Sequence, residues 1–361
     1  MSSPPKLLYY AHDHGSGHLH HAARVAATGA FDLTVVTASA AADRILPPGT
    51  AIARLPSDVV PGHRQPPASR LHYTPTGRVI RDRFAALLQA VQRVGPEAVV
   101  VDVSVEAALF LRLAGYPVIY RRMHGERADP AHELAYAESD HLIAYYGPDL
   151  EEPDWRDRFA ANTTFLGVPD RSGRLGIAAR RSARRPSGPT VTPQVAVVTG
   201  TGGGGVDLAD LARAASRVPW ARWNVYGATR GSGRVPTNLV LHGWAEDAVA
   251  RMREADVVVV SSGFSAVTDA IGAARPLVLV AEPRPFSEQG RFAEAAHAAA
   301  GIPWCRWADP DADWSGAVTA ALDEPSSADR LAAAILTDPG EHRRAWESVV
   351  ATAASPGSAP Q

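Results

Sequence analysis

The run Asp256-Val-Val-Val-Val-Ser261 is the feature that most constrains this chain. A continuous apolar stretch of strand length suits a parallel strand buried on both faces, and such strands need crossover connections of a dozen or more residues. The surrounding stretch Leu241–Gln289 supplies them. It reads as a turn, a short helix, this strand, a small-residue loop at Ser262-Gly263, an amphipathic helix over Ser265–Ala274 and a second strand over Leu277–Ala281, with Arg275-Pro276 stopping the helix. A helix N-terminus outside the carboxyl end of a parallel strand favours an anion, because its free N–H groups and its dipole point there. Asp269, one and a half turns into the helix, is placed to reach a ribose beside that anion. The stretch reads as a nucleotide-phosphate site.

The same alternation runs through the chain. Strands are expected at Lys6–Ala11, Phe31–Thr37, Ala51–Leu55, Ala98–Val103, Val118–Arg121 and His141–Tyr145, with helices at Leu19–Thr28, Arg78–Val94, Val105–Ala114 and Ala131–Glu138. Phe165–Pro169 reads as a last short strand of this first half. A second series has strands at Gln194–Thr199, Arg222–Tyr226, Leu239–His242, Asp256–Ser261, Pro276–Ala281 and Trp304–Trp307, a helix at Val206–Arg217 and helical tails near Ser326–Leu336 and His342–Ala351. The expected organisation is an N-terminal domain over residues 1–170, a linker over 171–193 and a C-terminal domain over 194–339, with a helix near 340–352 packing back on the first domain. The linker's Arg180, Arg181, Arg184 and Arg185 are read as a solvated face or, alternatively, as a phosphate-touching arm. Pro56–Gly77 interrupts the rhythm and is expected to be a loop over the cleft.

A formal net charge of −2 gives no electrostatic reason to expect nucleic acid as a partner. Cys305 is the single cysteine, which excludes an internal disulfide and suits a reducing, cytoplasmic setting. No signal-peptide core or membrane-spanning run is read, and peripheral membrane contact stays open.

Two glycine-rich turns follow the first strand of each half. In His12–His21 the turn His14-Gly15-Ser16-Gly17 leads into a helix that starts near His18. The helix N-terminus disfavours an imidazolium, so His18 is expected to be neutral and able to accept a proton. Thr199–Gly205 carries four consecutive glycines, Gly202 and Gly203 among them, and reads as a loop that approaches a ligand or as a mobile turn. Asp102, ending the run Val99-Val-Val-Asp102, either caps the next helix or orients a catalytic side chain such as His18. The histidines His12, His14, His18, His20 and His21 also admit a zinc-hydrolase reading, although His20 and His21 leave the helix in directions different from His18. The preferred expectation has no metal.

Trp244, Asp256, Ser262-Gly263, Asp269 and Glu288-Gln289 together resemble, at the same spacing, the donor-binding region of the GT-B glycosyltransferases. The nearest resemblance is to glycosyltransferase family 28, the peptidoglycan lipid-intermediate N-acetylglucosaminyltransferases, and the UDP-glycosyltransferases share the skeleton. The resemblance implies an α/β fold of two Rossmann-like, doubly wound parallel-sheet domains facing across a cleft. It implies main chain at Trp244 for the base, and Ser262, Gly263, Phe264 and Ser265 for the diphosphate. Asp269 would take the ribose, and Glu288 and Gln289 the sugar hydroxyls. Gly15-Ser-Gly-His18 resembles the family's acceptor-side turn, with His18 as base and Asp102 as its partner. Ser261 stands where relatives carry His or Arg, Asp269 replaces Glu, and Ala293 replaces an Asn. The implied reaction is an inverting, metal-independent transfer of a hexose or N-acetylhexosamine from a UDP-sugar, which serves as co-substrate without other cofactors. The acceptor, a saccharide, lipid-linked saccharide or natural product, is expected to be read by Pro56–Gly77 and Met123–Asp129. A UDP-sugar hydrolase of the same fold is the alternative.

Overall fold

The computed structural model describes residues 3–13, 15–58, 77–175, 192–199 and 205–355. Two parallel sheets organise them. The first contains β1 (Lys6–Ala11), β2 (Asp32–Thr37), β3 (Ala51–Arg54), β4 (Ala98–Asp102), β5 (Val118–Arg121), β6 (His141–Ala144) and β7 (Thr163–Phe165), in the order β3-β2-β1-β4-β5-β6-β7. After a two-residue strand β8 (Val168–Pro169), the second sheet is built from β9 (Gln194–Val198), β11 (Arg222–Tyr226), β13 (Leu239–Gly243), β14 (Val257–Ser261), β15 (Leu277–Val280) and β16 (Trp304–Cys305), in the order β13-β11-β9-β14-β15-β16. Every pairing in both sheets is parallel. Two small ladders complete the set, β10 (Val206–Asp207) with β12 (Thr229–Arg230) and β8 with β17 (Leu336–Thr337).

The continuous valine run behaves as a two-faced strand. Val258 and Val260 enter one core while Val257 and Val259 enter another on the opposite face, the period-2 alternation that β geometry imposes. In the first sheet Leu7 and Tyr9 face one core and Leu8 and Tyr10 the other. The core containing Leu7 and Tyr9 also contains Val258 and Val260, so one apolar layer runs continuously between the halves. The helix Pro339–Ala354 packs against β4, β5, β6 and β8, with Trp346 fully buried in that layer.

Three local expectations are corrected. Phe165–Pro169 is two pieces: β7 ends at Phe165, Gly167 turns with φ +61°, and a Cβ there would lie 2.8 Å from the Ile335 carbonyl, leaving β8 to pair elsewhere. The helix after the second glycine turn starts at Leu208, because Val206-Asp207 is held in a ladder and the Asp207 side chain accepts from Ala209 N. Strand β16 stops at Cys305 rather than Trp307.

Candidate active site

In each sheet the strand order reverses beside the first strand, at β1/β4 and at β9/β14. Loops leaving such neighbours diverge and open a crevice at the carboxyl edge, where ligands of open α/β sheets bind. In the first half these are the turn before the helix Gly17–Ala26 and the turn after Asp102; in the second the described one is Ser261–Gly263, after β14. The sequence-marked positions therefore collect at two crevices, through topology alone.

The crevices face each other closely. A Cβ on Gly17 would lie 3.5 Å from Ser265 Oγ, and the rings of His21 and Phe264 are 5.6 Å apart. The N-termini of the helices Gly17–Ala26 and Phe264–Ala273 thus converge. Among the described residues neither has a side chain capping its first turn or an acidic residue in it, which suits their leading N–H groups to an anion. Gly15 makes the first approach feasible by adopting φ +75°.

On the first side, register places Ala11 opposite Asp102, which brings the helix start beside the carboxylate. His18 Nδ1 lies 3.1 Å from Asp102 Oδ1, a charge-pair distance, but among the described residues the ring nitrogen has no aligned hydrogen-bond partner. Asp102 is fully buried. Its Oδ1 accepts from Arg121 Nη1 at 2.7 Å and its Oδ2 from the Tyr9 hydroxyl at 2.8 Å. Burial works to raise the Asp102 pKa, yet the Arg121 guanidinium and then His18 outweigh it, and the carboxyl stays well below the usual range. Of the two readings of Asp102, helix capping is excluded: Ser104 is the cap, its hydroxyl oxygen accepting from Ala107 N at 3.1 Å. Between them Val103, a β-branched residue, is held at φ +61°, strain of the kind that concentrates at functional turns.

The other histidines disperse. His21 is buried, stacked on Tyr145 with ring centroids 4.0 Å apart, and burial first, then Arg121, depress its pKa well below the ordinary value. His20 faces Asp269 and Arg24. His12 lies with Asp13 and Asp58, whose ligand-capable atoms come within 4.8 Å of one another, a group distinct from His18. Arg83 already supplies a cation there, 3.6 Å from Asp13 and 3.8 Å from Asp58. His14, Gly202 and Gly203 lie outside the described residues.

On the second side, Gly263 is the N-cap of the helix Phe264–Ala273. Ser262 is only 2% exposed, and its hydroxyl lies 3.0 Å from the carbonyls of both Val280 and Gln289. Its side chain therefore ties β15 to the helix Glu288–Ala300, and what this turn offers an anion is the main chain after Gly263. Gln289 is buried, with its Oε1 accepting from Glu282 N at 3.0 Å. Asp269 sits on the open face of its helix. Desolvation in the cleft raises its pKa, with Arg24 and His20 opposing. Trp244 follows β13 and is 65% exposed, an indole face open at the carboxyl edge. A cavity of about 550 Å³ lies beside the Glu288 loop, with Gly205, Arg230, Arg284 and Arg306 in its wall.

Two features escaped the sequence. Arg121 is one; its only local trace is a pair of arginines closing an otherwise apolar strand. The other is the docking of Phe286 onto the first half. Met123, His124 and Arg127 are buried, Glu126 N donates to Phe286 O at 2.7 Å, and the Arg127 guanidinium lies 4.6 Å from the Phe286 ring centroid. Arg127 also lies 3.5 Å from Glu288. Met123–Arg127, part of the segment Met123–Asp129 expected to read the acceptor, therefore also holds the donor-side loop.

No family model matches the chain, and no curated protein sequence matches it. Solved structures do. A MurG from Acinetobacter baumannii is 14% identical with a TM-score of 0.61, covering 96% of this chain and 99% of that one. A UDP-glucosyltransferase from Polygonum tinctorium is 12% identical with a TM-score of 0.68, covering 98% and 99%. The spinosyn rhamnosyltransferase SpnG, in complex with thymidine diphosphate, is 16% identical with a TM-score of 0.61, covering 95% and 100%. The chain has the fold of the GT-B glycosyltransferases, two Rossmann-like halves facing across a cleft. Among the described residues no helix is long and apolar enough to cross a membrane.

Proposed function

We propose that this chain transfers a hexose or N-acetylhexosamine from a UDP-sugar to an acceptor hydroxyl with inversion, without a metal, using His18 as general base. The observation that carries the reading is the convergence of two helix N-termini without side-chain caps on one cleft, with His18 on one of them paired to Asp102 at the end of β4. The diphosphate would sit at the main-chain N–H groups after Gly263, the ribose at Asp269 and the base beside Trp244. Glu288 and Gln289 would border the sugar.

In the step, the acceptor O–H gives its proton to His18 Nε2, since Nδ1 faces Asp102. The acceptor oxygen forms a bond to the anomeric carbon as the anomeric carbon–phosphate oxygen bond breaks, and UDP leaves with that electron pair. A positioned base of this kind supplies roughly 10²–10⁴-fold. The helix N-termini meet the charge that grows on the leaving diphosphate. The likeness to enzymes named for UDP-glucose and rhamnose transfer supports the reaction class.

The test is a thermal-shift screen across UDP-, dTDP- and GDP-sugars, because a ligand that binds only the folded state raises its stability. Turnover follows, with and without acceptor alcohols. Stabilisation by a UDP-sugar, acceptor-dependent release of UDP and its loss in His18→Ala are expected. Stabilisation by a dTDP-sugar alone would move the donor assignment. Free sugar released at full rate without acceptor would make the chain a hydrolase, and full turnover in His18→Ala would remove the base assignment.

A further inference from the structure

Asp102 is the most enclosed charge in the cleft, and its two oxygens are divided among three partners. Oδ2 is taken by Tyr9, whose hydroxyl is also 2.8 Å from that of Tyr145. Oδ1 is shared, and Arg121 holds it at the shorter distance with an aligned bond, while His18 stands at 3.1 Å without one. A fully buried carboxylate needs a full compensating charge. Here that charge is the guanidinium, which is itself 7% exposed and lies 5.0 Å from the Tyr145 ring centroid.

We propose that Arg121 is a positioning residue for this site: it holds Asp102 as a charge-compensated anchor and so limits the pull of that carboxylate on a proton at His18. The catalytic meaning rests on His18 being the base, while the electrostatic claim stands by itself. The groups that face His18 agree with it. Asp102 on β4 attracts a proton to the ring and Arg121 on β5 opposes it. Tyr9 on β1 and Tyr145 on β6 are neutral. His21 shares the helix, and the His12 ring lies 6.4 Å away with Asp13 and Asp58 behind it. Across the cleft the acidic group is Asp269, which faces His20 and Arg24. With Arg121 neutralised, Asp102 is uncompensated and holds a proton on the His18 ring more tightly.

The experiment follows the C2 proton of the His18 ring by NMR titration, assigned by its loss in His18→Asn. Arg121→Met should raise the midpoint by about one pH unit or more, the usual effect of a charge at this range. Arg121→Lys should return it toward the parent value. If Arg121→Met does not fold, Asp102→Asn and the charge-neutral double variant Asp102→Asn/Arg121→Met carry the test. Asp102→Asn alone leaves the guanidinium unbalanced beside His18, so its midpoint should lie about one unit below that of the double variant. Unshifted midpoints in folded variants overturn the proposal. The acid limb of the pH–rate profile should move with the midpoint. A shifted midpoint in a protein that transfers no sugar retains the electrostatic claim and removes the function. Transfer with an unmoved midpoint does the reverse.

Discussion

Gly125→Ala probes how the two halves are joined. Gly125 has φ +123°, a conformation that side chains resist, and a Cβ there would lie 2.7 Å from the main-chain oxygen of Phe286. That oxygen cannot retreat freely, because it accepts from Glu126 N and belongs to a loop in which Phe286 and Ser287 are already held at φ 58° and 52°. Alanine therefore costs backbone strain of about 1–3 kcal/mol. Pushing the loop away also forfeits a hydrogen bond, about 0.5–1.5 kcal/mol, and part of the Arg127–Phe286 contact, about 0.5–2 kcal/mol. The unfolding free energy from urea titration should fall by on the order of 3 kcal/mol. Donor KM should rise, since Glu288 directly follows the displaced loop. Ser287→Gly relieves one left-handed residue that makes no side-chain cap, and should raise stability by about 0.5 kcal/mol. An unchanged urea midpoint and donor KM in Gly125→Ala would refute the idea that this loop clips the halves together.

The same junction should be acid-sensitive. Burial holds His124 down to about 3 and His132 down to about 4 from the ordinary 6.5; a hydrogen bond to Leu150 O opposes this at His124, and Arg127 adds to it at His132. The unfolded chain takes up these protons near pH 6.5 and the folded chain only at its depressed values, so stability is full above pH 6.5 and is lost as pH falls toward 3–4. The slope is about 1.4 kcal/mol per pH unit for each group, and His124→Gln should show a shallower decline in urea titrations between pH 6.5 and 4. Cys305 is buried, and burial, then Asp313 and Asp309, push its thiol up to about 12. A disulfide reagent at pH 8 should leave it unlabelled in the folded protein and label it promptly in denaturant, whereas labelling of the native chain would contradict its enclosure.

Much of this molecule was legible locally. The helix Arg78–Val94 has the bounds its periodicity predicts, and β1, β5 and β11 coincide with their apolar runs. Other elements were not legible. The helices Pro153–Phe159 and Trp314–Asp323 are not among the expected elements, and Glu288–Ala300 enters the expectations only through Glu288, Gln289 and Ala293, although its alanines favour a helix. Ser262 shows the limit at the site. The family resemblance implies Ser262 at the diphosphate, and the return of Glu288–Ala300 against β15 commits its hydroxyl to two carbonyls.

The chain by itself determined two alternating α/β series and the turns that open their helices. Apolar runs, glycines and prolines act on neighbouring residues whatever the rest of the molecule does. The tertiary structure alone decided who neutralises Asp102 and what Met123–Arg127 holds. Arg121 reaches Asp102 through the pairing of β4 with β5, and Phe286 reaches Glu126 from the far half of the chain. A buried charge takes its partner from strand register and from the packing of the two halves, and no local pattern in the sequence encodes either.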